Sequence, residues 1–509
     1  MIVTLTNRWQ AGKATGALPS RAQTTGGTIA LIRMPTLRVG SPLRAPAMRQ
    51  LLRAVIARRG LAIAAVAQAL QYGSGLLLLP LVVRMLSAQE VGLWYIFIAA
   101  QGLSAVADFG FQPTIARYVS LVWSGGSSFD DPTEGNVGSH APNLPLLANL
   151  IVTARRLYAG LATGLFLLLA AAGAFYVLPL ARAGGLATTP VLMAWTIFST
   201  ATALGVYFLW IPALLLGSGR IAQNYSFLVL ARGGSAALGI GALLAGGGLI
   251  GLSAAFLLAQ IIARIGGAMF LKGLPLKSGT RDAERSRALL REIAPNASRL
   301  GLVGIGAFLV TRLSVFVVSS FYGLKAAGSF SISLQMLMAV TTVAQLPAQI
   351  SLARIVEARV ARDRTRLRQL ALRGVVGFFV IAVSGSIAVI VLAPYLLVFL
   401  KSSVPPLPSA TMILLAVTMV LEGNHSVHAF IITTANKVPF VIPSLVSGVV
   451  VAILATTSCW LGLGVIGVIA AQGLTQAAYN NWKWPLMVWK DLAPPRDEPL
   501  LNDSPRIKL

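Results

Sequence analysis

The stretch from residue 60 to residue 120 limits the possible fold more than any other. It is an apolar run with no charge before Arg84, a polar turn over Ser87-Ala88-Gln89-Glu90-Val91-Gly92, and a second apolar run from Leu93 to Arg117 that carries only Asp108 inside it. At about 1.5 Å of rise per residue, each run can cross the roughly 30 Å hydrocarbon layer of a bilayer. Inside hydrocarbon the backbone must satisfy its own polar groups, so the two runs are expected to form a transmembrane helical hairpin.

Apolar segments then recur at about 155–180, 190–216, 221–246, 249–271, 297–321, 327–352, 375–400, 409–433, 439–461 and 464–488. The expected fold class is an all-α polytopic membrane protein of about twelve transmembrane helices. A composition of 56% hydrophobic and 11% charged residues excludes an ordinary soluble domain. The net charge of +26 would suggest nucleic-acid binding in a soluble chain, but its distribution argues otherwise. With the N-terminus placed in the cytoplasm, 34 of the 41 Lys and Arg fall in cytoplasmic tails and loops. Four (Arg84, Arg182, Lys325, Lys401) fall outside, and three (Arg232, Arg264, Arg312) lie within spans. That asymmetry is the positive-inside pattern, so both termini are expected in the cytoplasm and no nucleic acid is expected as a partner. The single cysteine, Cys459, excludes an intrachain disulfide and a thiolate metal cluster.

The chain divides at its charged connectors. Residues 1–55 are basic, without an acid before Glu90, and are expected to be a disordered cytoplasmic tail; a transit peptide or an over-extended gene start ahead of Met48 are the alternatives. Residues 56–272 would make a first lobe of six helices, 273–296 a cytoplasmic linker, 297–490 a second lobe of six, and 491–509 a cytoplasmic C-terminal tail. The opening hairpin returns in the second lobe: Phe321-Tyr322-Gly323-Leu324-Lys325-Ala326-Ala327-Gly328 parallels Leu86 to Gly92, with Gly92 and Gly328 separated by 236 positions. Six spans per lobe, an even number, give both lobes the same orientation and predict a parallel repeat about an axis along the membrane normal.

Polar residues inside the spans recur at helical spacing, which predicts faces turned toward protein or a wet cavity rather than lipid. Span 1 carries Gln68, Gln71, Tyr72 and Gly75, span 2 Gln101, Ser104, Asp108 and Gln112, and span 8 Gln335, Met338, Thr342, Gln345 and Gln349. A central cavity between the lobes is the simplest reading, with helix-to-helix hydrogen bonding as the alternative. Arg232 and Arg312 fall near mid-membrane and need a counter-ion, either an internal acid such as Asp108 or Glu422 or an anionic ligand such as a phosphate. Glu422, His425 and His428 share span 10; since histidine titrates near neutrality, they are candidates for a proton relay, beside the alternatives of satisfied interior polar groups and a metal site.

The residues from Leu79-Pro80-Leu81-Val82-Val83-Arg84 through Gly92-Leu93-Trp94, and Ala107-Asp108-Phe109-Gly110 followed by Arg117-Tyr118, resemble the first hairpin of the polysaccharide biosynthesis exporters. These are O-antigen-type flippases of the multidrug/oligosaccharidyl-lipid/polysaccharide exporter superfamily. The resemblance covers about residues 55 to 490. It implies a V-shaped bundle of two six-helix lobes in the bacterial inner membrane. It further implies alternating-access movement of a polyprenyl-diphosphate-linked oligosaccharide to the outer leaflet, for exopolysaccharide or O-antigen assembly. On that reading Arg312 and Arg232 attract the diphosphate, Arg84 guides its exit, and Gln335 and Gln345 line the path. Asp108, Glu422 and His425 are the candidates for ion coupling. Partners would be the lipid-linked glycan, membrane lipids, a glycan polymerase and glycosyltransferases; no cofactor or metal is implied.

The competing reading is a proton- or sodium-coupled small-molecule exporter of the same superfamily, which would need Asp108 or Glu422 and carry cationic drugs. An enzyme such as a membrane glycosyltransferase should carry a large outer loop with catalytic acids, whereas the expected outer loops are short and hold only Glu90. The loop 123–147, with Asp130, Asp131 and Glu134, is long and acidic; a solvated cytoplasmic loop is expected, or a docking site for a cytoplasmic partner.

Overall fold

The computed structural model describes residues 45–126, 141–272, 274, 283–435 and 437–493. By its contacts the chain forms two units, Met1–Ala62 and Ile63–Leu509. The first is described only where helix α1 (Ala45–Met85) begins. Most of the expected N-terminal tail, the acids of loop 123–147, much of the linker 273–296 and the chain beyond 493 lie outside the described residues.

Everything described is helix or the short connection between helices. After α1, the second arm is broken into α2 (Ala88–Gln101), α3 (Leu103–Asp108) and α4 (Phe111–Trp123). The third joins α5 (Leu144–Ala172), a π-helical turn (Gly173–Val177) and α6 (Leu178–Ala183), and the fourth joins α7 (Thr188–Tyr207) and α8 (Trp210–Gly217). The fifth and sixth are α9 (Ile221–Leu244) and α10 (Gly248–Phe270). Then come α11 (Ala283–Thr311), α12 (Leu313–Ala344) and α13 (Leu346–Val360). The chain ends with α14 (Arg364–Phe399), α15 (Ser409–Thr433), α16 (Val441–Trp460), α17 (Gly464–Thr475), a second π-helical turn (Gln476–Asn480) and α18 (Asn481–Asp491).

Among the described residues, nine helical stretches are long and apolar enough to cross a membrane. One of them, Ala297–Val360, is 64 residues long and folds back at Gly323, so it makes two arms. Gly323 has φ 79° and ψ 179°, a backbone state that costs a side-chain-bearing residue heavily, and the reversal depends on it. With α1 and the arm from α17 to α18, the twelve expected spans are accounted for.

The first hairpin is tighter than its sequence suggested. Ser87 to Gly92 is not a turn: Ser87 is an N-cap, and α2 starts at the next residue. The Ser87 hydroxyl accepts from the Glu90 N–H (3.3 Å), and the Glu90 carboxylate accepts from the Ser87 N–H (2.9 Å). This reciprocal capping box satisfies two orphan donors and starts the helix directly after Leu86.

The connections between arms sort into two groups on opposite ends of the helices. At the arginine-poor end, the Ser403 N–H donates to the Val83 carbonyl (2.8 Å) and its hydroxyl to the Leu86 carbonyl (2.7 Å), joining the loop after α14 to the end of α1. At the same end Phe321 packs edge-on to Trp460, with ring centroids 5.9 Å apart. At the arginine-rich end, Arg359 pairs with Asp491 (2.8 Å), Arg364 donates to the Ala493 carbonyl (3.1 Å), and Arg220 donates to the Phe270 carbonyl (2.7 Å). Successive loops therefore alternate between ends, as spanning arms require.

The two repeated glycines meet each other. A side chain on Gly92 would collide with the Leu324 carbonyl, four residues before Gly328. A Cβ on Gly328 would lie 3.6 Å from the Ala88 carbonyl, four residues before Gly92. The contact is reciprocal, as a two-fold relation between the hairpins demands, and it places α2 directly against α12. Gly92→Val is expected to lower stability by about 2 kcal/mol or more through overpacking. Gly160→Val, at a site with no neighbour within 4 Å, should leave it unchanged. Melting of the two variants in detergent, followed by size-exclusion fluorescence, checks the contrast.

Candidate functional site

The second arm changes character halfway. In α2 nine of fourteen residues are buried, whereas α3 buries none, and the break that follows is half-exposed. The break sits at Phe109 (φ 49°) and Gly110 (φ 75°), two consecutive left-handed residues. Phe109 there costs of order 1 kcal/mol, a strain that persists only where packing enforces it. Packing does: the Phe109 ring presses on Gly301, where no side chain would fit, and a Cβ on Gly110 would lie 2.5 Å from Leu300 Cβ and 2.8 Å from the Ala297 carbonyl. The small residues of α11 thus accept the broken helix.

Asp108 ends α3 at this break. Its Oδ1 accepts the Gln112 N–H (3.0 Å) at the start of α4 and the Tyr158 hydroxyl (2.7 Å) from α5. The carboxylate caps a helix N-terminus, where the backbone donors and the dipole favour negative charge. Tyr158 is fully buried and was not expected from the sequence: nothing in its local spacing ties it to Asp108, fifty residues earlier.

Arg312 sits at a second break, between α11 and α12. Its aliphatic stem packs on α3's N-cap: a Cβ on Gly102 would lie 3.3 Å from Arg312 Cγ and 3.3 Å from Phe308 Cδ2. Arg312 and Asp108 therefore flank the same half-exposed segment, but they form no ion pair. Arg232 lies in α9, half-exposed, next to Gly233, which packs on Leu70 of α1. Neither arginine makes a hydrogen bond or ion pair among the described residues. The sequence explains part of this: residues 135–281 contain no Asp or Glu at all, against nine Lys and Arg, so α5 to α10 offer no carboxylate.

The other expected residues lie apart. Gln335 approaches α1, its Nε2 2.9 Å from where a Cβ on Gly75 would lie, and is half-exposed with Met338, Thr342, Gln345 and Gln349 along one stripe, as their spacing predicts. Gln345 marks the joint between α12 and α13. Arg84 is exposed at the arginine-poor end of α1, one residue from the Val83 carbonyl that Ser403 holds. In α15, Glu422 Oε1 and His425 Nδ1 are 3.8 Å apart, close enough for a charge pair but too long for a hydrogen bond. His428 is buried, its Nδ1 2.8 Å from the Asn424 carbonyl, and Asn424 donates to Asn481 (2.9 Å) beside the π-helical turn. Among the described residues no three His, Cys, Asp or Glu side chains gather where a metal could bind.

No family model matches the chain. No curated protein matches it in sequence. Its fold, however, is similar to solved membrane transporters. The inward-facing conformation of a multidrug resistance MATE family transporter of the MOP superfamily superposes with a TM-score of 0.63 at 16% identity, covering 86% of this chain and 98% of that one. An outward-facing conformation of a multidrug resistance MATE family transporter gives 0.54 at 15% identity, covering 85% and 95%. A MOP superfamily transporter from Pyrococcus furiosus Vc1, described as having a binding pocket of reverse polarity that suggests a different function, gives 0.55 at 14%, covering 86% and 95%. The expected MATE-like helical bundle is therefore the fold of this chain.

Because both hydrogen bonds of Asp108 Oδ1 go to the protein itself, Tyr158→Phe is expected to destabilise the fold by about 1–3 kcal/mol, the cost of removing a donor from a charged acceptor. Thermal unfolding of the variant in detergent checks this; a melting curve identical to wild type would remove Asp108 from the positioning of the break.

Proposed function

We propose that this protein is an alternating-access transporter of an anionic amphiphile, and specifically a flippase for a polyprenyl-diphosphate-linked oligosaccharide. The observation that carries the reading is the pair of arginines, Arg312 and Arg232, inside membrane arms with no carboxylate partner among the described residues. A guanidinium in low dielectric is costly without a counter-charge. A diphosphate supplies two acidic groups that match its planar donors, and charge-assisted bonds of this kind are strong. Arg312 also sits at a helix break on a half-exposed segment, where a ligand has access. A bacterial inner membrane, both termini in the cytoplasm, and glycan polymerase and glycosyltransferases as neighbours in the pathway belong to the same proposal.

The exposure pattern supports a state open toward the arginine-rich end. In α1, one face near the arginine-poor end is buried (Leu78, Leu79, Val82, Val83) while Leu76, Leu77 and Met85 are exposed, and toward the other end the polar Gln68 and Gln71 are exposed. The arginine-poor end is closed by a few hydrogen bonds: Ser403 to Val83 and Leu86, and the Tyr176 hydroxyl, which donates to the Phe316 carbonyl (3.0 Å) and lies 2.6 Å from the Ser319 hydroxyl. Each contributes about 0.5–1.5 kcal/mol, so their sum is within reach of a bound cargo's differential affinity for the open state.

The second reading is an ion-coupled multidrug-type exporter, favoured by the description of those two structural neighbours and by the Glu422 and His425 pair. Asp108 is committed to Tyr158 and Gln112, which makes Glu422 the better site for a transported proton. The two readings separate on charge. In proteoliposomes, Arg312→Ala is expected to lower flipping of a fluorescent polyprenyl-diphosphate glycan by about tenfold or more, the loss of one charge-assisted contact. Export of a cationic dye that survives in Arg312→Ala, with no glycan flipping by wild type, would overturn the flippase in favour of the exporter. Glu422→Gln is expected to lower export of the cationic dye on the exporter reading and to leave glycan flipping unchanged on the flippase reading.

A further inference from the structure

A second cationic site lies away from the helix breaks, where the third, fourth and sixth arms meet. The guanidinium carbon of Arg155 stands 5.3 Å from the Trp210 ring centroid, and that of Arg264 stands 5.4 Å from the same centroid and 5.5 Å from that of Phe208. Trp210 is buried, at 3% exposure, and its indole Nε1 has no hydrogen-bond partner among the described residues. The fourth arm breaks at Phe208 and Leu209, between α7 and α8, and this break puts the two aromatic rings beside the arginines.

Two like charges held at one ring repel, and neither arginine forms an ion pair among the described residues. Residues 135–281 hold no acid, and the crevice beside Trp210 is lined by Ile115, Val119, Leu150, Ile151, Ala154 and Leu214. Stacking on a ring occupies the face of a guanidinium and leaves its in-plane N–H donors free along the edge. Both arginines lie within cation–π distance of an aromatic ring, and neither donates a hydrogen bond among the described residues. Arg155 is exposed and Arg264 half-exposed, so a ligand can reach them.

The surroundings indicate where that ligand comes from. On α10 the neighbours of Arg264 include Ile261, Ile265 and Met269, exposed at 43%, 58% and 55%, which form a lipid-facing band. Arg264 is six residues from the end of α10, about 9 Å along the axis, and Trp210 is seven from the end of α8 at the same arginine-rich side. That depth suits a headgroup phosphate met by long, interface-seeking side chains.

We propose that Arg155 and Arg264, supported on Trp210, bind the phosphate of an anionic phospholipid headgroup at the arginine-rich face of the first six arms. The site is separate from the proposed cargo site: it uses neither Arg312 nor Arg232, and beside the α4 residues Ile115 and Val119 it is bordered by the exposed apolar band of α10.

Native mass spectrometry of the purified full-length protein in detergent tests this with dioleoylphosphatidylglycerol and dioleoylphosphatidylcholine as probes. Wild type is expected to retain phosphatidylglycerol, and R155Q/R264Q to lose about fivefold or more of that occupancy with phosphatidylcholine unchanged. R156Q removes an adjacent exposed charge that touches neither ring and should bind as wild type does. Equal retention by R155Q/R264Q, or an equal loss in R156Q, overturns the proposal. Inorganic phosphate distinguishes the source: if it raises the melting temperature of wild type at millimolar concentration while phosphatidylglycerol is not retained, the site takes a soluble anion and the lipid assignment fails. Should R155Q/R264Q not purify, W210L carries the same expectation of lost phosphatidylglycerol with both charges still present, and wild-type retention in W210L removes the stacked platform.

Discussion

The reciprocal seating of Gly92 on the Leu324 carbonyl and of Gly328 toward the Ala88 carbonyl is the contact on which the rest of the bundle depends. In a membrane the hydrophobic effect does not press helices together, because lipid tails are as apolar as leucine; association relies on backbones that can approach closely. Here one glycine from each repeat gives that approach, and the relation between them is the same in both directions. The buried half of the second arm, with Leu93, Ile96 and Phe97 fully enclosed, is built on this crossing. Beyond it the arm is free to break, first at Gly102 and then at Phe109 and Gly110, and those breaks position Arg312 and Asp108.

Charge follows the same division. Asp108 is held by a helix terminus and a tyrosine, while Arg312, packed against the same segment, has no acid partner among the described residues. The acid-free stretch from residue 135 to residue 281 extends this condition through four arms, and among the described residues Arg232, Arg155 and Arg264 form no ion pair. Cations in a membrane with no internal counter-charge take it from outside the protein. One such charge at a helix break near mid-membrane suits a passing cargo, and a pair on aromatic rings near the lipid-facing surface suits a resident headgroup. In the two proposals, position in the bilayer, rather than residue type, separates the roles.

Much of the fold was readable before any coordinates. The twelve arms, the alternation of loops between an arginine-rich and an arginine-poor end, and the recurrence of the Gly92 hairpin at Gly328 all came from apolar run length, charge placement and repeat spacing. The polar stripe from Gln335 to Gln349 lies on one half-exposed face, as helical period requires. The readings that needed revision were local: Ser87 to Gly92 looked like a turn because its residues are polar and end in glycine, yet the Ser87 and Glu90 pair is a helix start. The unbroken apolar runs hid the interruptions at Gly102, Phe208 and Arg312, since a helix that breaks inside a packed bundle keeps the hydropathy of one that does not.

Sequence alone determined that this chain crosses a membrane many times, which end of the arms carries the arginines, and that two copies of one hairpin face the same way. Those properties follow from run length and residue type, which act along the chain. Tertiary structure decided which charges are paired: that Tyr158 rather than an arginine answers Asp108, that Arg312 rests on Gly102 without a carboxylate, and that Arg155 and Arg264 converge on Trp210. Pairing depends on distance between side chains brought together from far apart in the chain, and no periodicity within a single helix encodes it.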